Sequence, residues 1–236
     1  MKVYAISDLH LSGENTTKPM DVFDNQWAGH AEKIRKNWES VVEDGDVVLI
    51  SGDISWAMYL EEAQGDLDFI GRLRGNKIMV RGNHDYWWGG ISKVRAALRE
   101  GTHVLQNDSI RLGRAVICGT RGWAVPEAHG TAAEDIKIYN REVARLKLSL
   151  ESASAKRKEG DIFICMTHFP PFNSKFGDSG FTALFSEYKV DKVVYGHLHS
   201  FHDHASLYHE KDGIEYYLTS CNLVNNELVL IWPGNK

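Results

Sequence analysis

Residues 78–85 read IMVRGNHD. An apolar run ends at Arg81 and Gly82, and the chain then delivers Asn83, His84 and Asp85 side by side. Outward from this stretch the same construction recurs. Residues 47–53 read VVLISGD, 3–10 read VYAISDLH, 162–168 read IFICMTH and 193–199 read VVYGHLH. Each opens with a short, near-continuous apolar run, the pattern of a strand covered on both faces. Each run is followed closely by Asp, Asn or His. In open α/β sheets ligands bind beyond the carboxyl ends of the strands. Five strand ends would then carry their polar side chains to one crevice.

A sixth apolar run, 115–118 (AVIC), completes the set. Between the runs lie helical periods: Trp27, Ile34, Trp38 and Val41; Leu60, Ala63, Leu67, Ile70 and Leu73; and Ile136, Tyr139, Val143, Leu146 and Leu150. Each set gives one apolar face at helical spacing. Residues 91–99 are a further helix candidate, with Gly101 to end it. Alternating strands and helices predict βαβ units. Near the C-terminus, 214–219 and 227–232 read as two strands joined across Asn225-Asn226, a turn signal. The expectation is a mixed sheet, parallel in part with antiparallel additions, in one domain spanning 1–236. Loops of unusual length are expected at 11–24, 119–133 and 169–180, and such loops are often functional.

The charge balance narrows the functions. The 236 residues carry a formal net charge of −5 and no basic stripe, so no nucleic-acid partner is expected. No segment approaches the ~18 apolar residues of a membrane span. The three cysteines form no CxxC and read as reduced core residues of a cytoplasmic protein. The opening MKVYAISDLH passes straight into a strand, with no leader pattern.

Seven residues form the candidate donor set: Asp8, His10, Asp53, Asn83, His168, His197 and His199. Oxygen and imidazole donors without thiolate suit Mn, Fe, Zn, Ni or Co rather than a closed cysteine zinc site. Asp8 and His10, like His197 and His199, occupy alternate positions, which in extended chain point the same way. The glycines before Asp53, Asn83 and His197 permit close backbone approach. Seven donors are too many for one ion and suit two, which can clamp a phosphate between them. Two aspartates against two divalent ions would leave the site positive and attractive to an anionic ester.

The blocks D-x-H, GD, GNHD, a lone His and GHxH, in this order over residues 8–199, resemble the calcineurin-like metallophosphoesterase family. The resemblance implies a four-layer α/β sandwich of two mixed sheets flanked by helices. It implies two transition-metal ions, Mn or Fe favoured. Asp8, His10 and His199 would bind one, Asn83, His168 and His197 the other, and Asp53 would bridge them. His84 would contact phosphate and protonate the leaving oxygen. The implied activity is hydrolysis of a phosphomonoester or phosphodiester in a small substrate, by direct attack of a metal-bridging hydroxide.

One departure separates the chain from the phosphoprotein phosphatase branch. That branch follows its GD block with a second Asp and an Arg, whereas here Gly52-Asp53 continues into Ile54-Ser55-Trp56-Ala57. A protein phosphatase is not expected, and Asp85 is left as a candidate to orient His84. A nuclease of the same superfamily is opposed by the acidic charge. A scaffold without activity is opposed by the intact donor set and His84. Trp56, Trp87, Trp88 and Trp123 are divided between substrate pocket and core, and Arg121 between phosphate and solvent. Pro170-Pro171 after Phe169 would stiffen their loop. His30, His103 and His129 read as surface residues, and His202, His204 and His209 as a solvated loop.

Overall fold

The computed structural model describes residues 1–13, 20, 27–127, 130–200 and 206–234. His129, His202 and His204 lie outside them. The first sheet runs in the order β11 (Val229–Trp232), β1 (Val3–Ile6), β2 (Val47–Ser51), β3 (Asn76–Val80) and β4 (Thr102–Val104). β1 to β4 pair in parallel and β11 closes the edge antiparallel. The second sheet runs β5 (Ser109–Leu112), β6 (Ala115–Thr120), β7 (Ile162–Thr167), β8 (Lys192–Tyr195), β10 (Ile214–Leu218) and β9 (Tyr208–Lys211). Its centre, β6 to β10, is parallel, and β5 and β9 are antiparallel edges.

The period of two along each strand explains the layers. Val3 and Ala5 of β1, Val47 and Leu49 of β2, and Ile164 and Met166 of β7 share one core between the sheets. The alternate residues Tyr4, Ile6, Val48 and Ile50 face a second core under α1 (His30–Val41), α2 (Leu60–Arg72) and α3 (Ile91–Ala96). Phe163 and Cys165 face a third under α4 (Ala133–Ser154) and α5 (Gly180–Glu187). The two mixed sheets flanked by helices are thus the four layers expected. The fully buried Trp38 anchors α1, its Nε1 donating to the Arg74 carbonyl at 3.0 Å. Burying an apolar side chain of core size contributes about 1.5–3 kcal/mol.

Three expectations are corrected here. β10 and β11 do not form a hairpin. They lie in different sheets, although Asn225 and Asn226 do turn the chain with φ 56° and 61°. Trp27 precedes α1, which starts at His30, and its buried ring belongs to the core beneath that helix. α3 closes at Ala96, before Gly101.

Candidate metal centre

The strand ends place the donors, but not by simple alternation. Asp8 (φ 57°), His10 (φ 42°), Asp53 (φ 51°) and His197 (φ 72°) all adopt left-handed backbone. The pairs Asp8/His10 and His197/His199 are therefore not extended, and tight turns rather than a strand period aim them. Asp and His tolerate this region better than most residues, yet each such residue stores of order 1–3 kcal/mol. Two glycines make the turns possible. A Cβ on Gly82 would stand 2.1 Å from Asp53 Oδ1, and one on Gly196 2.3 Å from Asp8 Oδ2.

All seven donors come together, in two groups. On one flank His168 Nε2 lies 2.7 Å and His197 Nδ1 3.0 Å from Asn83 Oδ1, and the two nitrogens are 3.2 Å apart. On the other flank Asp8, His10 and His199 offer atoms within 4.8 Å of one another. Asp53 stands between the groups. Its Oδ2 is 3.8 Å from His10 Nε2 and 3.5 Å from His168 Nε2. That oxygen is buried and has no hydrogen-bond partner among the described residues.

The electrostatics suit a bound cation. Burial raises the Asp8 carboxyl, and burial, then Asp85 and Asp8, push Asp53 up to about 9. Burial holds His10 and His168 well below the usual imidazole range and His197 down to about 4. Neutral imidazoles and deprotonated carboxylates are the forms that bind metal. The His168 Nδ1–H donates to the Ser51 carbonyl at 3.0 Å. Its Nε2 then presents a lone pair to Asn83 Oδ1, itself an acceptor. A cation between the two resolves that opposition. With metal–ligand bonds of about 2.0–2.2 Å, adjacent ligand atoms stand roughly 3 Å apart, the spacing of the Asn83, His168 and His197 donors. The donor set fits divalent metal.

Outer contacts that the sequence did not reveal orient these groups. Asp8 Oδ2 accepts from Ser7 Oγ (2.6 Å), Ser220 Oγ (2.8 Å) and the His197 N–H (3.0 Å). Asn222 Oδ1 accepts from His199 Nδ1 at 3.0 Å, while its Nδ2 donates to the His199 carbonyl at 2.9 Å. That leaves His199 Nε2 on the Asp8 side, 3.8 Å from Oδ1. Partners of this kind fix the tautomer and direction of a ligating histidine. For Ser220 and Asn222, a location after β10 and far from the motif blocks conceals this role.

His84 lies at the Asp53 end. Its backbone N–H donates to Asp53 Oδ1 at 2.8 Å, and its ring lies 4.6 Å from Trp56 and 6.1 Å from the exposed Tyr86. Asp85 does not orient it. The Asp85 carboxylate accepts from the backbone N–H groups of Gly82, Ile54 and Ser55 and from Trp87 Nε1, tying the two donor loops together. Trp56 stacks on His10 at 4.9 Å, whereas Trp87 and Trp88 are core. Arg121 faces neither free solvent nor an open site. It covers Trp123 at 4.6 Å and lies 3.5 Å from the buried Glu142. His30 is buried, bridging the Leu9 and Trp27 carbonyls. His103 is half-buried on β4, and His209 sits on β9 against Phe176.

The sequence profile described as Calcineurin-like phosphoesterase matches residues 1–201. The chain belongs to that family. An 88-residue stretch is 32% identical to an uncharacterized protein of Methanocaldococcus jannaschii, covering 36% of this chain and 47% of that protein. The chain thus spans about half the length of that curated relative. The phosphopantetheinyl hydrolase of Mycobacterium tuberculosis superposes with a TM-score of 0.60 at 16% identity, over 99% of this chain and 96% of that one. The Thermus thermophilus protein TT1561 gives 0.58 at 11% identity, over 96% of each chain. At these identities the likeness shows the fold. No helix among the described residues is long and apolar enough to cross a membrane.

Proposed function

We propose that the chain hydrolyses a small phosphate ester, mono- or diester, at a dinuclear centre. The observation that carries this is the convergence of seven donors from five strand ends into two groups that share Asp53. Asp8, His10 and His199 would hold one ion, Asn83, His168 and His197 the other, and Asp53 both. Mn or Fe suits the oxygen and imidazole donors. When bound, the pair supplies Lewis-acid polarisation of the phosphate and a water acidified to react near neutral pH.

The chain's own residues do the rest. The outer contacts from Ser7, Ser51, Ser220 and Asn222 keep the donors aimed. Asp85 holds the loops bearing Asp53 and Asn83 in register. His84, half-buried beside Asp53, is placed to give a proton to the departing oxygen, help typically worth ~10²–10⁴ in rate. Attack on phosphorus is direct, without a covalent enzyme intermediate. The buried free thiols of Cys118, Cys165 and Cys221 support a cytoplasmic location, and the whole chain acts as one catalytic domain.

The test strips the protein with chelator and assays p-nitrophenyl phosphate and bis-p-nitrophenyl phosphate with and without Mn²⁺. Metal-dependent turnover is expected, and the ratio of rates separates monoesterase from diesterase. Label from H₂¹⁸O should enter the phosphate in a single turnover. Protein shown to bind two ions yet turning over neither ester with Mn²⁺, Fe²⁺, Zn²⁺, Ni²⁺ or Co²⁺ would defeat the reading.

A further inference from the structure

A cavity of about 260 Å³ opens beside His197, on the flank of the candidate centre away from His10. Its walls are apolar: Phe169, Phe172, Phe176 and Val125 line it. The Phe169 ring lies tilted 4.1 Å from the His197 ring, so the cavity begins where the donor set ends. The far wall is held firmly. Phe172 packs 4.6 Å from Tyr216, and Phe176 5.0 Å from His209. The cavity is near the lower end of the ~300–1,000 Å³ usual for small-molecule sites, which pair apolar walls with few polar groups.

Two observations specify an occupant. Tyr195 lines the cavity, is 1% exposed, and its hydroxyl has no hydrogen-bond partner among the described residues. Tyrosine hydroxyls in apolar surroundings usually find a partner, and here it is what enters the cavity that can supply one. The charge is the second. Glu127 is the one carboxylate in the lining, and it accepts from the Ser174 N–H at 3.0 Å. No Lys or Arg among the described residues lines the cavity, so a second phosphate or a nucleic-acid backbone would find no counter-charge among them.

We propose that this cavity receives the organic group of the phosphate ester: an uncharged, aromatic or aliphatic body with one hydrogen-bonding group at its far end, which meets the Tyr195 hydroxyl. The proposal rests on the phosphoesterase reading, and its test separates the two. ¹⁹F NMR of 2-(4-fluorophenyl)ethanol with the protein, metal present or absent, reports the cavity without turnover. The resonance should broaden, and 2-(4-hydroxyphenyl)ethanol should displace the probe. Val125→Trp, which fills the cavity from a half-exposed loop position, should abolish both effects.

In the Mn²⁺-loaded enzyme, 2-(4-hydroxyphenyl)ethyl phosphate should exceed 2-phenylethyl phosphate in kcat/KM. The two leaving groups are of nearly equal acidity. Tyr195→Phe should erase that preference, a change of roughly three- to tenfold. Val125→Trp should lower kcat/KM for both by at least about tenfold. Metal-dependent hydrolysis of p-nitrophenyl phosphate with no probe binding, or with Val125→Trp without effect on either ester, would overturn the cavity assignment and leave the phosphoesterase standing. Probe binding in a protein that hydrolyses no phosphate ester would also overturn it, because the cavity would then take an alcohol alone.

Discussion

Asp161 and Asp53 are both buried aspartates at strand ends, and they are treated in opposite ways. Asp161 precedes β7, at the amino end of the parallel strands. Its Oδ2 accepts from Arg111 Nε at 2.8 Å and its Oδ1 from Arg111 Nη2 at 2.9 Å, and the Lys158 N–H adds a third bond. The Arg111 hydrogen bonds hold its carboxyl below the usual range. Asp191, before β8, is similarly met by the Phe163 N–H and by Arg157. Asp53 follows β2, at the carboxyl end. Among the described residues it has no guanidinium or ammonium partner and its Oδ2 is unmet, and burial drives its carboxyl up to about 9. One end of the sheets neutralises its carboxylates internally. The other end gives Asp53 no cationic side chain among the described residues, and burial disfavours its ionised form, the pattern expected where a cation is to bind.

The sharpest way to break this comparison is to remove each carboxylate. Asp53→Asn should abolish turnover of p-nitrophenyl phosphate, a loss beyond the ~10–100-fold typical of outer partners. The metal-free variant should melt no lower than the parent, because burial already disfavours the ionised Asp53 carboxylate, and the amide oxygen still accepts from the His84 N–H. Asp161→Asn should do the reverse, lowering the melting temperature and sparing activity. Asp53→Asn protein with parental kcat/KM would remove Asp53 from the centre.

A middle-sized effect is expected at the outer contacts. Asn222→Ala removes the side-chain amide that accepts from Nδ1 of His199, which is 38% exposed. Titration of the stripped variant with Mn²⁺ should show one ion bound about 10–100-fold more weakly, with the Asn83, His168 and His197 ion unaffected. Equal weakening of both ions would mean the two flanks form a single inseparable network.

The carboxyl end was legible in the sequence because its strands are buried on both faces. An unbroken apolar run that stops at Gly82 or Gly196 and then presents Asn83 or His197 is hard to mistake. The edges were not legible. β4, β5 and β9 read THV, SIRL and YHEK, half-solvated strands with no apolar run to announce them. α5 opens at Gly180, and its signal was the Ser179 cap, whose Oγ accepts from the Phe181 and Thr182 N–H groups. Pairing partners were hidden for a different reason. β10 and β11 each read as a strand, but β10 joins the nearby β8 in one sheet while β11 joins β1, at the opposite end of the chain, in the other. The segment crossing between those sheets carries Ser220 and Asn222 into the centre, so missing the crossover and missing these partners were one error. Asp85 shows the limit of adjacency: the carboxylate next to His84 is spent on backbone N–H groups instead.

The smallest effect tests the amino end by pH. The folded carboxyl of Asp161 titrates below its unfolded value, so folding releases its proton more readily. Its stabilising contribution is therefore complete above the ordinary aspartate range, near pH ~3.9. It falls away as pH drops through that range towards the folded value. Arg111→Met removes the cause. The parent should melt higher than the variant at neutral pH, by no more than a few degrees because Arg111 is partly solvated. The two curves should converge as the solution is made more acidic than that range. A gap that persisted undiminished in acid would assign the effect to packing of the Arg111 stem rather than to its charge. The contrast between the two ends of the sheets would then rest on Asp53 and Asp8 alone.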